Sequence, residues 1–491
     1  METEMDSLPG DSKYHVVLFP FMAKGHTIPL LYLARLLLNR HVKVTIFTTP
    51  ANHYFIAKSL SNTTASIIDL SFPKNTGSEM SPGIESTDQL PSTELFPSFA
   101  LSTKLMQPEF ERALRNLPFI NFMVSDGFLW WTLESAIKFG FPRLVFFGMS
   151  NHSLVILNTL CMGKAVNDNK LFSGPESVHD LITVTPFPWL KVTKSDFEPF
   201  FYEPNPKGDF FELVTLAFGA AANSQGYIMN SFYELEPVFI DYLNSSLGQP
   251  TIWCVGPLCL AEPEPDTRVR HQPDKKRYWI QWLDQKLKQG RSVLYIAFGT
   301  QAKVSSAQLT EIANGLEESK VNFLWVIRET QEAQLEDGFE ERIKERGIIV
   351  KEWVDQREIL KHKSVEGFLS HCGWNSVLES ICAGVPILAW PMIAEQPLNA
   401  RMVVEEIKVG LRVETCDGSV REFVTREGLV KMVKELMEGE MGKKVREKMR
   451  EVAAMAKGAL ENENGSSSQT LDMLIHKTFA RKIYIDHLSE T

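Results

Sequence analysis

The sequence predicts an α/β protein built from two doubly wound domains that face each other across a cleft. Short apolar runs with strand-forming composition alternate with longer amphipathic segments. Polar residues do not alternate with apolar ones inside these runs, which is typical of strands buried on both faces of a parallel sheet. The pattern breaks at the proline-rich, charged segment 261–277 and then restarts. A chain of 491 residues is also too long for one ordinary core, which favours two domains.

The first domain is predicted over residues 1–250. The segment IPLLYLARLLLNR is predicted to form a helix between the first two strands. Strand–helix–strand repetition of this kind indicates a doubly wound domain. The predicted strands are Tyr14 to Pro20, Val42 to Thr48, Asn121 to Ser125, Arg143 to Phe147 and Tyr227 to Ser231.

The second domain is predicted over residues 251–470, with segment 261–277 as a linker loop. Its apolar runs are VLYIAF, FLWVI, GIIV, EGFLS and PILAW. One of its helices is predicted to begin after an N-cap at Ser305 or Ser306, because an apolar stripe follows at helical spacing. That stripe consists of Leu309, Ile312, Ala313 and Leu316. A last helix, 471–491, is expected to pack back on the first domain.

The composition argues against several functional classes. The formal net charge is −10, whereas nucleic-acid binding needs clustered basic charge. No apolar run reaches the roughly 18 residues of a membrane span, and the first residues show no secretory signal pattern. The six cysteines form no CxxC pair, so no metal site is expected. We expect a cytoplasmic protein with reduced thiols, and a monomer because no spare apolar helix is evident.

The stretch GFLSHCGWNSVLESICAGVPILAWPMIAEQ, residues 367–396, carries the strongest functional signal. A strand ends at a His-Cys-Gly turn, and a helix is predicted from Trp374 onward. The unpaired amide groups and positive dipole end of such a helix favour an anion such as phosphate. Gly373 allows a close backbone approach, His371 and Asn375 add donors, and Glu379 is one turn further along to accept sugar hydroxyls. The alternative interpretation is an ordinary capped helix with a buried Trp374.

Two other strand ends carry polar residues. The run IAFGTQ ends a strand at Gly299-Thr300, and a plain strand-to-helix turn explains it equally well. The run LFPFMAKGHTIP places His26 after Gly25 at the beginning of a helix, and VSDGFLWW places Asp126 at another strand end. A carboxylate beside a histidine fixes its tautomer and stabilises its protonated form, as a general base requires. The alternative for His26 is a structural histidine.

Other functional classes fit the sequence less well. A nicotinamide dehydrogenase would also be doubly wound, but the chain contains no GxGxxG motif. A binding-only protein would lose the base, whereas His26 and Asp126 are both present. A hydrolase using Cys372 lacks an assignable histidine partner, because adjacency in sequence does not bring His371 within reach of the thiol.

The 44 residues from Trp353 through Gln396 resemble the signature box of plant family-1 UDP-sugar-dependent glycosyltransferases. The glycine-histidine pair and the aspartate strand end of the first domain fit this family too, so the resemblance covers essentially the whole chain. It implies the GT-B fold, in which two Rossmann-like domains face each other. One departure is Val354-Asp355, where the family usually has Ala-Pro. The matching positions in the box are Trp353, Gln356, His371, Gly373, Trp374, Asn375, Ser376, Glu379, Pro391, Glu395 and Gln396.

The resemblance implies a UDP-sugar site on the second domain. Trp353 would stack on the uracil while the backbone of Val354 hydrogen-bonds the base, and Gln356 and Glu379 would hold the ribose hydroxyls. Gln396 favours glucose, because the family has His at this position when the sugar is galactose. The remaining implied donor-site residues are His371, Asn375, Ser376 and Thr300 at the diphosphate, Trp374, Glu395 and Gln396 at the sugar, and the glycines Gly25 and Gly373.

The resemblance further implies an inverting transfer of glucose from UDP-glucose to a hydroxyl of a small lipophilic acceptor, giving a β-glucoside. His26 would be the general base and Asp126 its partner. No cofactor or metal is expected, because the helix terminus and its donors stabilise the leaving UDP. Aromatic residues in segments 78–99 and 176–206 favour an apolar or aromatic acceptor, such as a flavonoid, phenol, terpenoid or hormone. The alternatives are another UDP-sugar donor or a non-catalytic UDP-sugar-binding protein.

Overall fold

The computed structural model describes residues 14–73, 83–165, 179–185, 187–203, 205–245, 251–261, 277–299, 301, 304–327, 335–461 and 464–489. Within these ranges the strands form two parallel sheets and one antiparallel pair. The predicted linker residues 262–276 and Thr300 lie outside them.

The first parallel sheet contains seven of the first nine described strands. These strands are β1 His15–Phe19, β2 Lys43–Thr48, β3 Ser66–Asp69, β4 Phe122–Asp126, β5 Arg143–Phe147, β6 Ile182–Val184, β7 Phe187–Val192, β8 Gly226–Met229 and β9 Thr251–Cys254. Their order in the sheet is β3-β2-β1-β4-β5-β8-β9, and β6 pairs separately with β7 in antiparallel register. The direction of winding therefore reverses between β1 and β4.

The second parallel sheet is formed by the remaining six described strands. They are β10 Val293–Ala297, β11 Asn322–Val326, β12 Gly347–Val350, β13 Val365–Ser370, β14 Ile387–Ala389 and β15 Gly410–Arg412. Their order is β12-β11-β10-β13-β14-β15, so the winding reverses between β10 and β13. Two sheets with this topology confirm the predicted doubly wound α/β class.

Helices connect the strands and cover both sheets. They are α1 Lys24–Leu38, α2 Pro50–Ser59, α3 Phe96–Ser102, α4 Gln107–Leu114, α5 Thr132–Phe139, α6 Asn151–Ala165, α7 Asp209–Ala222, α8 Pro237–Ser245, α9 Tyr278–Lys288, α10 Ser306–Ser319, α11 Phe339–Ile343, α12 Gln356–Leu360, α13 Trp374–Ala383, α14 Gln396–Arg401, α15 Arg426–Glu438, α16 Glu440–Leu460 and α17 Ser466–Ser489. Short 3-10 helices lie at Thr87–Gln89, Thr93–Leu95, Thr103–Met106, Lys194–Asp196, Pro199–Phe201, Tyr233–Leu235 and Leu258–Leu260, and a π-helical turn lies at Met402–Glu406.

The apolar runs form the core, as their continuous hydrophobicity predicts. Every residue of β1, β4 and β5 is buried, since helices cover both faces of the sheet. In the second domain, the Ser305 hydroxyl accepts a hydrogen bond from the Gln308 amide and caps α10, which confirms that predicted helix start. The predicted apolar stripe of α10 is buried: Leu309, Ile312, Ala313 and Leu316.

The last helix returns the chain to the first sheet. Helix α17 packs against β9. Arg40 donates to the Asp472 carboxylate at 2.6 Å and to the Ser468 hydroxyl at 2.7 Å, which ties α17 to the end of α1. The helix begins at Ser466, five residues before the predicted start. None of the helices in the described part of the chain is both long and apolar enough to cross a membrane.

Candidate functional site

The predicted strand-end motifs lie at the two points where the sheets reverse their winding. Asp126 ends β4, and His26 follows β1, which is the neighbour of β4 across the reversal in the first sheet. In the second sheet, Gly299 follows β10 and His371 follows β13, its neighbour across the reversal. Open α/β sheets bind ligands beyond the carboxyl ends of their strands at such points. Both sheets therefore offer a site at the position that topology favours.

His26 and Asp126 form a hydrogen-bonded pair. The His26 Nδ1 atom lies 2.7 Å from Asp126 Oδ2, and the Phe128 amide donates to Asp126 Oδ1 at 3.0 Å. Asp126 is buried, whereas the side chain of His26 remains partly open. Burial works to lower the pKa of His26, but the charge and hydrogen bond of Asp126, with the charge of Glu395, outweigh it and raise this pKa above its usual value.

A buried arginine lies next to this pair. Arg143 is almost completely enclosed, and burial lowers its pKa to about 10, so its guanidinium remains charged at neutral pH. It donates to three hydroxyl groups and, at 3.3 Å, to the backbone carbonyl of Asp126. The three hydroxyl acceptors are those of Ser125, Thr132 and Ser224. Arg143 thus anchors the strand end that carries Asp126.

Three phenylalanines, Phe21, Phe96 and Phe128, form an aromatic wall beside His26. The ring centroids of Phe21 and Phe128 lie 5.7 and 5.5 Å from that of His26. Phe96 lies 5.2 Å from Phe128 and 5.7 Å from Phe21, with edge-to-face geometry in both pairs. The imidazole therefore borders an aromatic cluster in which the Phe21 ring is buried and the Phe96 and Phe128 rings are partly exposed.

Two glycines make room for His371 at the second reversal point. A Cβ atom on Gly299 would lie 2.7 Å from His371 Nε2, and one on Gly373 would lie 2.6 Å from it. Burial lowers the pKa of His371 to about 4, so the ring is neutral at pH 7. Cys372, between His371 and Gly373, adopts a left-handed backbone with φ 62°. This turn directs the chain into α13, which begins at Trp374.

A polar cluster follows on the same helix. The Gln356 amide donates to Glu379 at 2.7 Å and to the Ser376 hydroxyl at 2.9 Å. Burial raises the pKa of Glu379 to about 7, against the opposing hydrogen bond from Gln356 and charge of Arg357. Glu379 therefore changes its charge near neutral pH.

The segment before α12 accommodates the departure at Val354-Asp355. The Asp355 side chain accepts from the Arg357 amide at 3.1 Å and pairs with the Arg357 guanidinium, so it acts as the N-cap of α12. Val354 is buried beneath this turn, while the Trp353 side chain is 62% exposed. An aspartate can thus begin the helix where the box usually has proline.

Glu395 and Gln396 lie at the beginning of α14. The Gln396 side-chain oxygen, Oε1, accepts from the backbone amides of Met392 and Ile393, both at 3.0 Å, which closes the loop before the helix. Burial raises the pKa of Glu395, while the facing charge of His26 opposes that rise. Glu395 of the second domain and His26 of the first are therefore close enough to interact electrostatically.

Direct contacts hold the two domains together around the site. The Asn375 amide donates to the Gly25 carbonyl at 2.5 Å, one residue before His26. The side-chain amide of Asn230 donates to the Asn375 side-chain oxygen at 3.1 Å. The backbone carbonyl of Asn230 accepts from the Trp374 indole N–H at 2.7 Å. Helix α13 is thereby joined to the first turn of α1 and to the residue that follows β8 in the first domain.

Comparison with known proteins identifies the chain. A family model described as "UDP-glucoronosyl and UDP-glucosyl transferase" matches residues 281–452. UDP-glycosyltransferase 90A1 of Arabidopsis thaliana is 55% identical over 471 residues, which cover 94% of this chain and 96% of that protein. The chain belongs to the plant family-1 UDP-glycosyltransferases. The predicted family is therefore confirmed.

Solved structures extend the similarity of this UDP-glycosyltransferase to the fold. A Glycyrrhiza uralensis enzyme complexed with glycyrrhetinic acid 3-O-monoglucuronide has a TM-score of 0.83 at 27% identity, covering 97% of this chain and 98% of that one. A Phytolacca americana enzyme complexed with UDP-2fluoro-glucose and pterostilbene has a TM-score of 0.77 at 28% identity, covering 95% and 99%. These neighbours have the GT-B fold, which confirms the predicted architecture.

The predicted site residues of this UDP-glycosyltransferase do not all present their side chains in the same way. The Trp374 indole is 1% exposed and its N–H is already bonded to the Asn230 carbonyl, and the sugar contact of Trp374 stays a prediction. Only its backbone amide, in the first turn of α13, remains for a ligand. The Asn375 amide likewise bridges the domains. Among the described residues, no group of three or more His, Cys, Asp or Glu side chains is arranged to hold a metal ion.

Several residues of the site had no recognised signal in the sequence. Asn230 lies near the end of the predicted strand Tyr227 to Ser231, and Asn399 lies just beyond the signature box, so their positions indicated proximity but not contact. Arg143 begins an apolar run, where an isolated arginine surrounded by hydrophobic residues is the detectable anomaly. The aromatic wall lies in the predicted acceptor region only in part, through Phe96.

Proposed function

We propose that this UDP-glycosyltransferase transfers glucose from UDP-glucose to a hydroxyl group of a small aromatic acceptor, with inversion to a β-glucoside. The observation that carries the proposal is the His26–Asp126 pair, which faces Glu395 of the second domain and borders the aromatic wall. A base, a sugar-binding carboxylate and an acceptor surface then meet at one point. This arrangement supports a catalyst over a protein that only binds UDP-sugars.

The donor is proposed to bind along the second domain. The exposed Trp353 indole would stack on the uracil beside the Val354 backbone, and the Gln356–Glu379 pair would hold the ribose. The backbone amides of the first turn of α13, with Ser376, would receive the diphosphate, because helix N-termini favour anions. Proposed contacts for the rest of the donor are His371, Thr300 and Gly373 at the diphosphate and Glu395 and Gln396 at the glucose.

His26 is proposed to act as the general base. Its Nδ1 is bonded to Asp126, which leaves Nε2 for the acceptor hydroxyl. As the oxygen attacks the anomeric carbon from the face opposite the diphosphate, the hydroxyl proton passes to Nε2, the new C–O bond forms and the bond to UDP breaks. Asp126 stabilises the imidazolium, and the helix terminus stabilises the charge that develops on UDP. In this proposal no step requires a metal ion.

The acceptor is proposed to be planar and aromatic. The partly exposed rings of Phe96 and Phe128 offer edge and face contacts that favour an aromatic ring next to the imidazole. A phenol has a pKa of about 10, within reach of an imidazole base, whereas an alkyl alcohol is much harder to deprotonate. The Phytolacca structure, which contains a UDP-glucose analogue and pterostilbene, supports both the donor and the acceptor class.

Turnover with matched donors and acceptors tests this proposal. Purified protein is given UDP-glucose or UDP-galactose with a panel of phenols and alkyl alcohols, and UDP release and product mass are followed together. We expect a gain of one hexose on phenols with UDP-glucose, and a β-anomeric product by NMR. Faster transfer from UDP-galactose would contradict the donor assignment, and UDP release without acceptor mass gain would contradict the acceptor assignment.

A histidine variant with a built-in control tests the base. His26→Ala is expected to lower kcat by about 10²- to 10⁴-fold while UDP affinity is kept. The control is His53→Ala, since His53 makes a similar 2.8 Å pair with Asp69 on the exposed surface of α2. Equal activity of the two variants would contradict the role of His26.

A further inference from the structure

The side chain of Asn399 lies where three segments meet. Asn399, on α14, is completely buried. Its Oδ1 lies 3.1 Å from the Ser150 hydroxyl and 3.0 Å from the Ser153 hydroxyl of the first domain. Its Nδ2 donates to the Cys372 carbonyl at 3.0 Å and to Glu395 at 3.3 Å. One amide thus joins the first domain to two segments of the donor side.

Both donor-side segments have strained backbone conformations. Cys372 has a φ of 62°, and Ala394, which precedes Glu395, has a φ of 54°. Side chains other than glycine rarely adopt this left-handed region, and such residues persist only where the surroundings hold them. Asn399 bonds directly to the Cys372 carbonyl and to the carboxylate that follows Ala394. Its amide therefore supplies part of what holds both turns.

The contact with the first domain comes from the end of a sheet strand. Ser150 lies just beyond β5, and Ser153 lies in the first turn of α6. The Ser153 amide donates to the Ser150 hydroxyl at 3.0 Å, which fixes the position of that hydroxyl. Because β5 pairs with β4, which ends at Asp126, the sheet connects these serines to the His26–Asp126 pair.

We propose that Asn399 is a positioning residue that aligns Glu395 and the Cys372 turn with the first domain through Ser150 and Ser153. The inference rests on the proposed function, in which Glu395 contacts the donor sugar and the turn leads into the diphosphate site. Asn399 does not touch the donor in this proposal. It determines where the sugar-binding carboxylate lies relative to His26.

Two variants that remove different contacts of Asn399 test the proposal. Asn399→Ala removes its contacts with both domains, and the double variant Ser150→Ala/Ser153→Ala removes only its contacts with the first domain. The control is Asn121→Ala, because Asn121 is a buried asparagine whose Oδ1 accepts from the His15 amide at the amino-terminal ends of β1 and β4, away from the strand ends that carry the site. For each protein, kcat and KM for UDP-glucose are measured, with Kd for UDP and UDP-glucose by calorimetry and thermal stability.

The expected result separates positioning from stability. Asn399→Ala should lower kcat by about 10- to 100-fold, since misplacement of a substrate contact by about 1 Å has effects of this size. Its Kd for UDP should remain within about threefold of wild type, while the preference for UDP-glucose over UDP is lost. The serine variant should lower kcat by a smaller factor in the same pattern, and Asn121→Ala should lower only the melting temperature.

Other outcomes overturn the inference. A folded Asn399→Ala protein with wild-type kcat and UDP-glucose KM would show that the residue only stabilises the fold. If Asn399→Ala does not fold, an unchanged kcat in the serine variant overturns the alignment through the first domain, and a reduced kcat with wild-type UDP affinity supports it. Absence of glucose transfer by the wild-type protein is a separate result, which contradicts the proposed function itself.

Discussion

His26 Nδ1 lies 2.7 Å from Asp126 Oδ2, although 100 positions separate the two residues in the chain. The net effect of this pair and Glu395 is a His26 pKa above its usual value. A base must be unprotonated, so we predict that kcat/KM rises with pH through a pKa above about 6.5. In Asp126→Asn only the charge of Glu395 opposes the effect of burial on the His26 pKa. That pKa should therefore fall, so the rising limb of kcat/KM should move to lower pH, and the plateau should decrease by about 10²- to 10⁴-fold.

The surface pair provides the control for the pH–rate profile. Asp69→Asn removes the partner of His53, an exposed pair on the first domain, and should leave both the limb and the plateau unchanged. Since a raised histidine pKa favours the folded state at low pH, the stability contributed by the Asp126 pair should decrease as pH rises through the His26 pKa. If the rising limb of the pH–rate profile stays at the same pH in Asp126→Asn, a group other than His26 controls that profile.

The space around His371 yields a second prediction. Gly373→Ala should displace the imidazole and weaken UDP binding by about tenfold, because its Cβ would lie 2.6 Å from Nε2. Gly299→Ala should be more damaging, since it adds a similar clash at 2.7 Å to a φ of 72°. Calorimetry with UDP and thermal unfolding measure the two effects.

A change of background distinguishes the clash from backbone strain. In a His371→Ala protein the clash is absent, so adding Gly373→Ala should have little further effect, while adding Gly299→Ala should still lower the melting temperature. Additive effects of His371→Ala and Gly373→Ala would show that the glycine is required for another reason.

The sequence was sufficient to predict the fold, and the candidate site residues lie at the strand ends that it singled out. The continuous apolar runs indicated parallel strands buried on both faces, and the reversal of strand order then brought His26 near Asp126 and Gly299 near His371. Gly299 could be interpreted only after β10 and β13 were known to be neighbours, since nothing in the local sequence shows that the His371 imidazole lies against this glycine.

Contacts between the domains could not be predicted in the same way. The partners of Trp374 and Asn375, which include Asn230 and Gly25, come from the first domain, more than a hundred residues earlier. Local pattern describes a helix and its polar N-terminus, but not which of its side chains a second domain will occupy. The sequence therefore did not show that the Trp374 indole is bonded to the Asn230 carbonyl, and the sugar contact of Trp374 stays a prediction.

A third prediction is that replacing Glu379 raises the stability of the protein at high pH but weakens UDP binding. Burial raises its pKa to about 7, so the folded state favours the protonated form and loses stability as pH rises from about 4.5 through 7. Glu379→Gln removes this titration and should raise the melting temperature at pH 8 but not at pH 5. The same variant should raise the Kd for UDP by about tenfold, because a carboxylate accepts hydroxyl hydrogen bonds more strongly than an amide. A melting temperature that rises equally at both pH values would contradict the buried-charge explanation.

The last prediction concerns the two tryptophans of the box, which have opposite exposure. Trp374 is 1% exposed and bonded to the Asn230 carbonyl, so Trp374→Phe should destabilise the protein by about 1–3 kcal/mol by leaving that carbonyl unpaired. Its ratio of UDP-glucose to UDP affinity should stay within about twofold of wild type. Trp353 is 62% exposed, so Trp353→Ala should leave the melting temperature unchanged and weaken UDP and UDP-glucose equally, by about 1–3 kcal/mol for a lost stacking contact. If Trp374→Phe loses affinity for UDP-glucose but not for UDP, this prediction is wrong and the indole contacts the sugar, because the two ligands differ only in the sugar.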